Sequence, residues 1–291
     1  MIFEGSGVAL VTPFDKNGEV NYYSLKKLIE FQIACGTKAI IILGTTGESA
    51  TISKDERKKI INFCVCLVGK RIPVIVGTGS NSTKTAKENS VEAESLGADA
   101  LLVVTPYYNK CNQQGILNYY KTISNAVKLP IIAYNVPSRT GVNIEPQTVL
   151  KLSKIKNIVG IKEASGNLKQ IAEILKIVPS NFSVFSGDDF LTLPIMLLGG
   201  KGVISVTANV YPELVQNMCD FALKNDYFNA KRISKYLQKI NECLFLDVNP
   251  ICVKEYMNLI GFNVGDVRPP LCKPSSEILK KLKEVKHEYE N

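Results

Sequence analysis

The sequence predicts an α/β protein, a (β/α)8 barrel followed by a C-terminal helical extension. Three observations carry this expectation. Short apolar, β-branched runs alternate with longer amphipathic stretches from one end of the chain to the other. Eight such units follow one another without a domain break, as a closed parallel barrel requires. The length of 291 residues suits one barrel, which typically takes ~250 residues. A doubly wound open sheet would use the same units, but eight in unbroken succession favour closure.

The candidate strands, in order, are GVALVT (7–12), KAIIIL (38–43), IPVIVG (72–77) and ADALLVV (98–104), then LPIIAYN (129–135), NIVGIKE (157–163), FSVFSG (182–187) and KGVISVT (201–207). Each is a short apolar run of the kind that is buried on both faces of a parallel sheet. The helical stretches between them carry start and stop signals. SLKKLIEFQIAC is followed by Gly36, and KDERKKIINFCVCLV is preceded by Ser53 with Glu56 three residues on, a capping-box pattern. STKTAKENSVEAESLG, NLKQIAEILKIV and YPELVQNMCDFALKND continue the alternation. The barrel is assigned to residues 1–226 and a helical appendage to 227–291, which offers only helices: 228–247, 251–261 and 275–289.

Composition excludes several classes. Hydrophobic residues make up 45% and charged residues 21% of the chain, with no apolar run near the length of a membrane span. The N-terminus, MIFEGSGVALVTPF, lacks the basic region of a signal peptide, so the expectation is a cytoplasmic protein. The net charge of +8 is spread over segments such as SKDERKKI, where acids interrupt the bases. That pattern reads as solvated helix faces rather than a nucleic-acid stripe, although a positive field can attract small anions. The eight cysteines are scattered without a CxxC, and Cys64 and Cys66 point different ways on a helix; buried free thiols are expected. The single histidine, His287, lies in the polar C-terminal stretch. A histidine-based triad or histidine-rich metal site has nothing to build on, so catalysis must use Lys, Tyr, Arg, Thr and carboxylates.

In a barrel, chemistry collects at the C-terminal ends of the strands. Those ends read GTTGES, TPYYN, YNVPSRTG, KEASG, SGDD and SVTAN. Alternation along the sixth strand puts Gly160 and Lys162 on one face and Val159 and Ile161 on the other. Lys162 then points into the barrel, where desolvation disfavours the cation and leaves a neutral amine able to attack a ketone. The competing reading is a strand-end lysine that reaches water or pairs with Glu163. Tyr134, next door on the fifth strand, can exchange protons with a carbinolamine, or be an aromatic filler. GTTGE can turn backbone N–H groups and hydroxyls toward a carboxylate. Arg139, in a loop, can clamp a second carboxylate or form an ordinary surface ion pair. Gly199, Gly200 and Gly202 precede the eighth strand, at the wrong end for a phosphate loop. Asp188 and Asp189 after the seventh would repel phosphate, so a phosphosugar enzyme is disfavoured.

FEGSGVALVTPF, GTTGES, TPYYN, YNVPSRTG, GIKEASGN and VRPPL together make the chain resemble the dihydrodipicolinate synthases of the N-acetylneuraminate lyase family, over essentially its whole length. The resemblance implies a metal-independent lyase of lysine and diaminopimelate biosynthesis that condenses pyruvate with L-aspartate 4-semialdehyde. It implies no cofactor beyond pyruvate held as an imine on Lys162. Tyr134 would be the general acid/base, with Thr45 and Tyr108 completing a proton relay and Tyr108 coming from a neighbouring subunit of a homotetramer. Thr46, the backbone of Ile204 and Gly187 would belong to the pyruvate site, and Arg139 would hold the semialdehyde carboxylate. Other readings are a sugar-acid aldolase, which Arg139 disfavours, and a catalytically silent scaffold, which the intact Lys162, Tyr134, Thr45 and Tyr108 disfavour. Many family members are inhibited by lysine at a subunit-interface site that includes a histidine and a glutamate. Here Lys54 and Thr85 stand at those positions, with Arg57 nearby, while Ala50, Asn81 and Tyr107 fit the pattern. The departure implies weak or absent lysine inhibition.

Overall fold

The computed structural model describes residues 2–290. Its strands are β1 (Gly5–Ala9), β2 (Ala39–Ile42), β3 (Val74–Gly77), β4 (Ala100–Val104), β5 (Ile131–Asn135), β6 (Ile158–Glu163), β7 (Ser183–Ser186) and β8 (Gly202–Ser205). All pair in parallel and in sequence order, and β8 returns to β1 with Gly7 opposite Ile204 to close the barrel. The surrounding helices are α1 (Tyr22–Ala34), α2 (Lys54–Val68), α3 (Thr83–Ser95), α4 (Gln113–Ser124), α5 (Pro137–Thr140), α6 (Pro146–Leu152), α7 (Leu168–Ile177), α8 (Thr192–Leu197) and α9 (Pro212–Leu223). Three more follow: α10 (Tyr227–Leu244), α11 (Ile251–Leu259) and α12 (Ser276–Glu290). Among the described residues no helix is long and apolar enough to cross a membrane.

Local chemistry explains the boundaries. The capping box at α2 forms as its spacing requires: the Glu56 N–H donates to Ser53 Oγ, and the Ser53 N–H donates to Glu56 Oε2 at 2.8 Å. Gly69, at φ 56°, ends the same helix in the left-handed conformation that costs glycine little.

Alternation along the strands sorts the core into two layers. Phe3, Ile41, Ile75, Leu102, Ile132, Tyr134, Phe185 and Ile204 share an inner cluster that fills the barrel. Ile40, Val76, Leu101, Ile161 and Val184 belong to the larger cluster between sheet and helices. Each fully buried isoleucine contributes about 1.5–3 kcal/mol. Because Ile161 faces out, its neighbour Lys162 must face in.

The 227–291 stretch is not helix throughout. Between α11 and α12 the chain has no regular structure, and Pro269, Pro270 and Pro274 explain why: each lacks the N–H that a helix or strand would use. This irregular segment carries Asp266 and Arg268. Nor are the thiols uniformly buried. All eight are free, but Cys66 and Cys272 are exposed and Cys35 and Cys111 half-buried.

Candidate active site

Lys162 lies near the C-terminal end of β6, in register with Tyr134 on β5 and Phe185 on β7. It is only 5% exposed, and its Nζ stands 4.4 Å from the centre of the Tyr134 ring. Among the described residues Nζ has no ion pair. The pairing with Glu163 open to a strand-end lysine is not made, for a reason visible in the alternation. Glu163 faces the opposite side of the sheet, where its carboxylate accepts from Asn135 Nδ2 at 3.1 Å and from the Ser165 N–H at 2.8 Å. Burial pushes that carboxyl above its ordinary value, against the pull of these hydrogen bonds. The neighbour at Nζ is thus the electron-rich face of the Tyr134 ring rather than a carboxylate.

Gly187, just past β7, makes room for this lysine. A Cβ there would lie 2.9 Å from Lys162 Cε and 2.8 Å from the Ala164 Cβ, so any larger residue would displace the amine. Ile204, 1% exposed on β8, belongs with Tyr134 and Phe185 to the inner cluster.

The GTTGE turn follows β2. The amides of Gly47 and Glu48 are used inside it, donating to Gly44 O at 3.1 Å and Thr45 O at 3.0 Å. Those of Thr45 and Thr46 have no protein acceptor among the described residues, which leaves two adjacent donors for an anionic group. Thr45 is half-buried and Thr46 is 2% exposed. The Thr46 hydroxyl accepts from Asn249 Nδ2 at 2.9 Å, and the Asn249 carbonyl accepts from the Arg139 guanidinium, also at 2.9 Å. One residue just before α11 thus links the threonine turn to the arginine of α5. Sequence reading missed Asn249, and equally Lys254 and the role of Glu48. Lys254 Nζ donates to Glu48 Oε1 at 2.8 Å in an ion pair whose side chains are 1% and 2% exposed. Burial pulls the Lys254 ammonium below its ordinary value, an effect that Glu48 opposes. The only local signal was a lysine amid the apolar run ICVKEYMNL.

A cavity of about 490 Å3 opens above this floor. It is lined by Thr45, Val136, Arg139 and Asn249, and also by Ala50, Arg57, Thr85 and Tyr107. Arg139 is solvent-exposed and belongs to the cavity lining. Of the residues expected at a second, effector-like site, Lys54 and Asn81 do not line the cavity. Lys54 is the exposed first residue of α2, whereas Arg57, one turn further, is buried and donates to the Gly77 carbonyl at 2.5 Å. Burial pulls its guanidinium down to about 10. Tyr108 is 89% exposed, at a strained φ of 74°, and does not line the cavity of its own chain.

Asp189 corrects the argument made against a phosphate site. It does not face a ligand. Its carboxylate is buried, and it accepts from Ser205 Oγ at 2.5 Å, from the Val206 N–H at 2.9 Å and from the Thr207 N–H at 3.1 Å. It joins the β7 loop to the end of β8 because those two amides, past the last strand residue, would otherwise lack acceptors. Asp188 caps the short helix that follows, accepting from the Phe190 N–H at 2.9 Å.

Comparison with known proteins agrees with the geometry. A profile of the dihydrodipicolinate synthetase family matches residues 2–288. The chain is 51% identical over 289 residues to the 4-hydroxy-tetrahydrodipicolinate synthase of Thermoanaerobacter sp. (strain X514), covering 99% of this chain and 97% of that one. It superposes on the crystal structure of dihydrodipicolinate synthase from Aquifex aeolicus with a TM-score of 0.97 and 47% identity, covering 99% and 98% of the two chains. A dihydrodipicolinate synthase variant described as monomeric matches with a TM-score of 0.97 and 42% identity, covering 99% and 97%. A buried barrel lysine without an acid partner, a tyrosine ring against it and a full-length match to one family lead to a single conclusion: the chain belongs to the dihydrodipicolinate synthetase family.

Proposed function

We propose that this chain is a 4-hydroxy-tetrahydrodipicolinate synthase that joins pyruvate to L-aspartate 4-semialdehyde. The observation that carries the reading is Lys162, buried inside the barrel beside Tyr134 with no carboxylate paired to it. Its amine adds to the pyruvate ketone, and loss of water gives an imine. Deprotonation at the methyl carbon gives an enamine, with the imine nitrogen as electron sink. That carbon attacks the aldehyde of the second substrate. The substrate's own amine then closes on the imine carbon, expelling Lys162 and giving the cyclic product. Electrons and protons balance without a further cofactor, because the lysine supplies the sink itself.

In this scheme Tyr134 moves protons at the carbinolamine, and Thr45 connects it to Tyr108 of a neighbouring subunit. The free amides of Thr45 and Thr46 and the backbone of Ile204 receive the pyruvate carboxylate. Arg139 receives that of the semialdehyde, which supports this acceptor over a polyol aldehyde with no such group. Membership of the family supports a homotetramer built from paired dimers, and Tyr108, 89% exposed on one chain, is accessible to a neighbouring subunit. The test is borohydride reduction with pyruvate followed by peptide mass mapping, alongside turnover of aspartate semialdehyde. An adduct on Lys162 with turnover is expected. Unmodified Lys162, or full activity in Lys162→Ala, would overturn the imine mechanism.

A further inference from the structure

The turn that carries Thr45 and Thr46 is held from outside the barrel. Leu43 and Glu48, at its two ends, both have φ of 55°, a conformation that side chains other than glycine's adopt only under constraint. The constraint at Glu48 is explicit. Its Oε1 accepts from Lys254 Nζ at 2.8 Å and its Oε2 from the Arg268 N–H at 2.8 Å. Lys254 spends its other two protons on the carbonyls of Asp266, at 2.7 Å, and Thr12, at 3.2 Å. Thr12 in turn donates from its hydroxyl to the Gly47 carbonyl at 2.7 Å. Every group in this chain of contacts ends on the threonine turn or on the irregular segment before α12.

A buried ion pair is a poor device for stability, since well-packed apolar residues of the same size do as well or better. What such a pair does supply is direction: a bidentate carboxylate and a three-donor ammonium tolerate one arrangement. We propose that Glu48 and Lys254 are positioning residues for the pyruvate site, fixing the turn so that the amides of Thr45 and Thr46 stand ready for a carboxylate. The inference rests on the reading of that turn as the pyruvate carboxylate site. It assigns a task to a lysine of the C-terminal extension that touches no substrate.

The test is the charge-free double variant Glu48→Gln/Lys254→Met, which keeps side-chain volume, with Lys254→Met alone as its companion. Amide hydrogen exchange over residues 43–51 reads the turn directly. The pyruvate concentration giving half-maximal borohydride labelling of Lys162 reads the site. The double variant is expected to fold with faster exchange confined to that turn. It should require about tenfold more pyruvate, while turnover at saturating pyruvate changes by no more than about threefold. A general loss of structure would instead speed exchange throughout the chain and lower turnover at saturating pyruvate. A folded double variant with unchanged exchange and unchanged half-saturation would overturn the proposal. So would a double variant that fails to fold, because the pair would then be serving stability rather than geometry. If wild-type protein is not labelled by pyruvate at all, the functional reading fails, and the exchange comparison still decides whether Glu48 and Lys254 hold the turn.

Discussion

Replacing Arg139 by alanine separates the two half-reactions. Among the described residues its side chain makes one hydrogen bond, to the Asn249 carbonyl at 2.9 Å. Losing that single half-buried contact should cost about 1.5 kcal/mol of stability at most. Toward the acceptor the loss is of another kind, because a charge-assisted contact to a carboxylate disappears. Such contacts are worth about 1.5–3 kcal/mol, and solvent around an exposed guanidinium favours the lower half of that range. A loss of about 2 kcal/mol corresponds to about a 30-fold fall in kcat/KM for aspartate semialdehyde. Pyruvate labelling of Lys162 should change by less than about threefold, since no atom of Arg139 belongs to the imine-forming set. The assay is steady-state turnover against semialdehyde at saturating pyruvate, compared with borohydride labelling by pyruvate alone. Arg139→Lys, which restores the charge without the planar fork, should fall between the two. Equal losses in both measurements would refute the reasoning and make Arg139 a structural residue.

Other expectations test different parts of the site. Tyr108→Phe should lose most activity, as should protein dissociated to monomers, if the proposed proton relay crosses a subunit boundary; a strictly monomeric, fully active preparation by light scattering and assay would contradict this. Lysine should inhibit weakly or not at all: Thr85 offers no carboxylate, and Arg57 adds a cation to the lining of the same cavity. Like charges at ~4 Å oppose binding by about 4 kcal/mol at an effective dielectric of 20; submillimolar inhibition in a steady-state assay would show the argument wrong. Glu56 is held at about 2 by hydrogen bonds from Arg268. A depressed carboxyl stabilises the fold above its ordinary value of 4.5 and loses that contribution as pH falls toward about 2. Arg268→Gln should therefore lower the melting temperature at pH 7 and narrow its gap to wild type at pH 3, with a loss on the order of 1 kcal/mol after solvent screening.

Much of this architecture was legible in the sequence because its signals are local. The period-two pattern around Gly160, Ile161 and Lys162 was enough to aim the lysine inward, and Ile161 in the outer cluster bears that out. Ser53 and Glu56, three residues apart, announced a helix start that forms as drawn. What escaped was non-local. Asn249 meets Thr46 across 203 positions and Lys254 meets Glu48 across 206, distances over which no pattern of polarity carries a signal. Asp189 was misjudged for a related reason. A carboxylate in a rim loop looks ligand-facing until the chain shows two unpaired amides behind it. Lys54 begins α2 and is solvent-exposed, while Arg57, one turn further, lines the cavity.

The last irregular stretch also sets an order of events during synthesis. The strand that closes the barrel, β8, is complete at Ser205, yet the residues that grip the threonine turn arrive only at Asn249, Lys254 and Arg268. A ribosome thus finishes the lysine and the cylinder around it well before it finishes the clasp on the neighbouring turn. The groups that hold the Thr45–Thr46 turn are the last parts of this region to be synthesised.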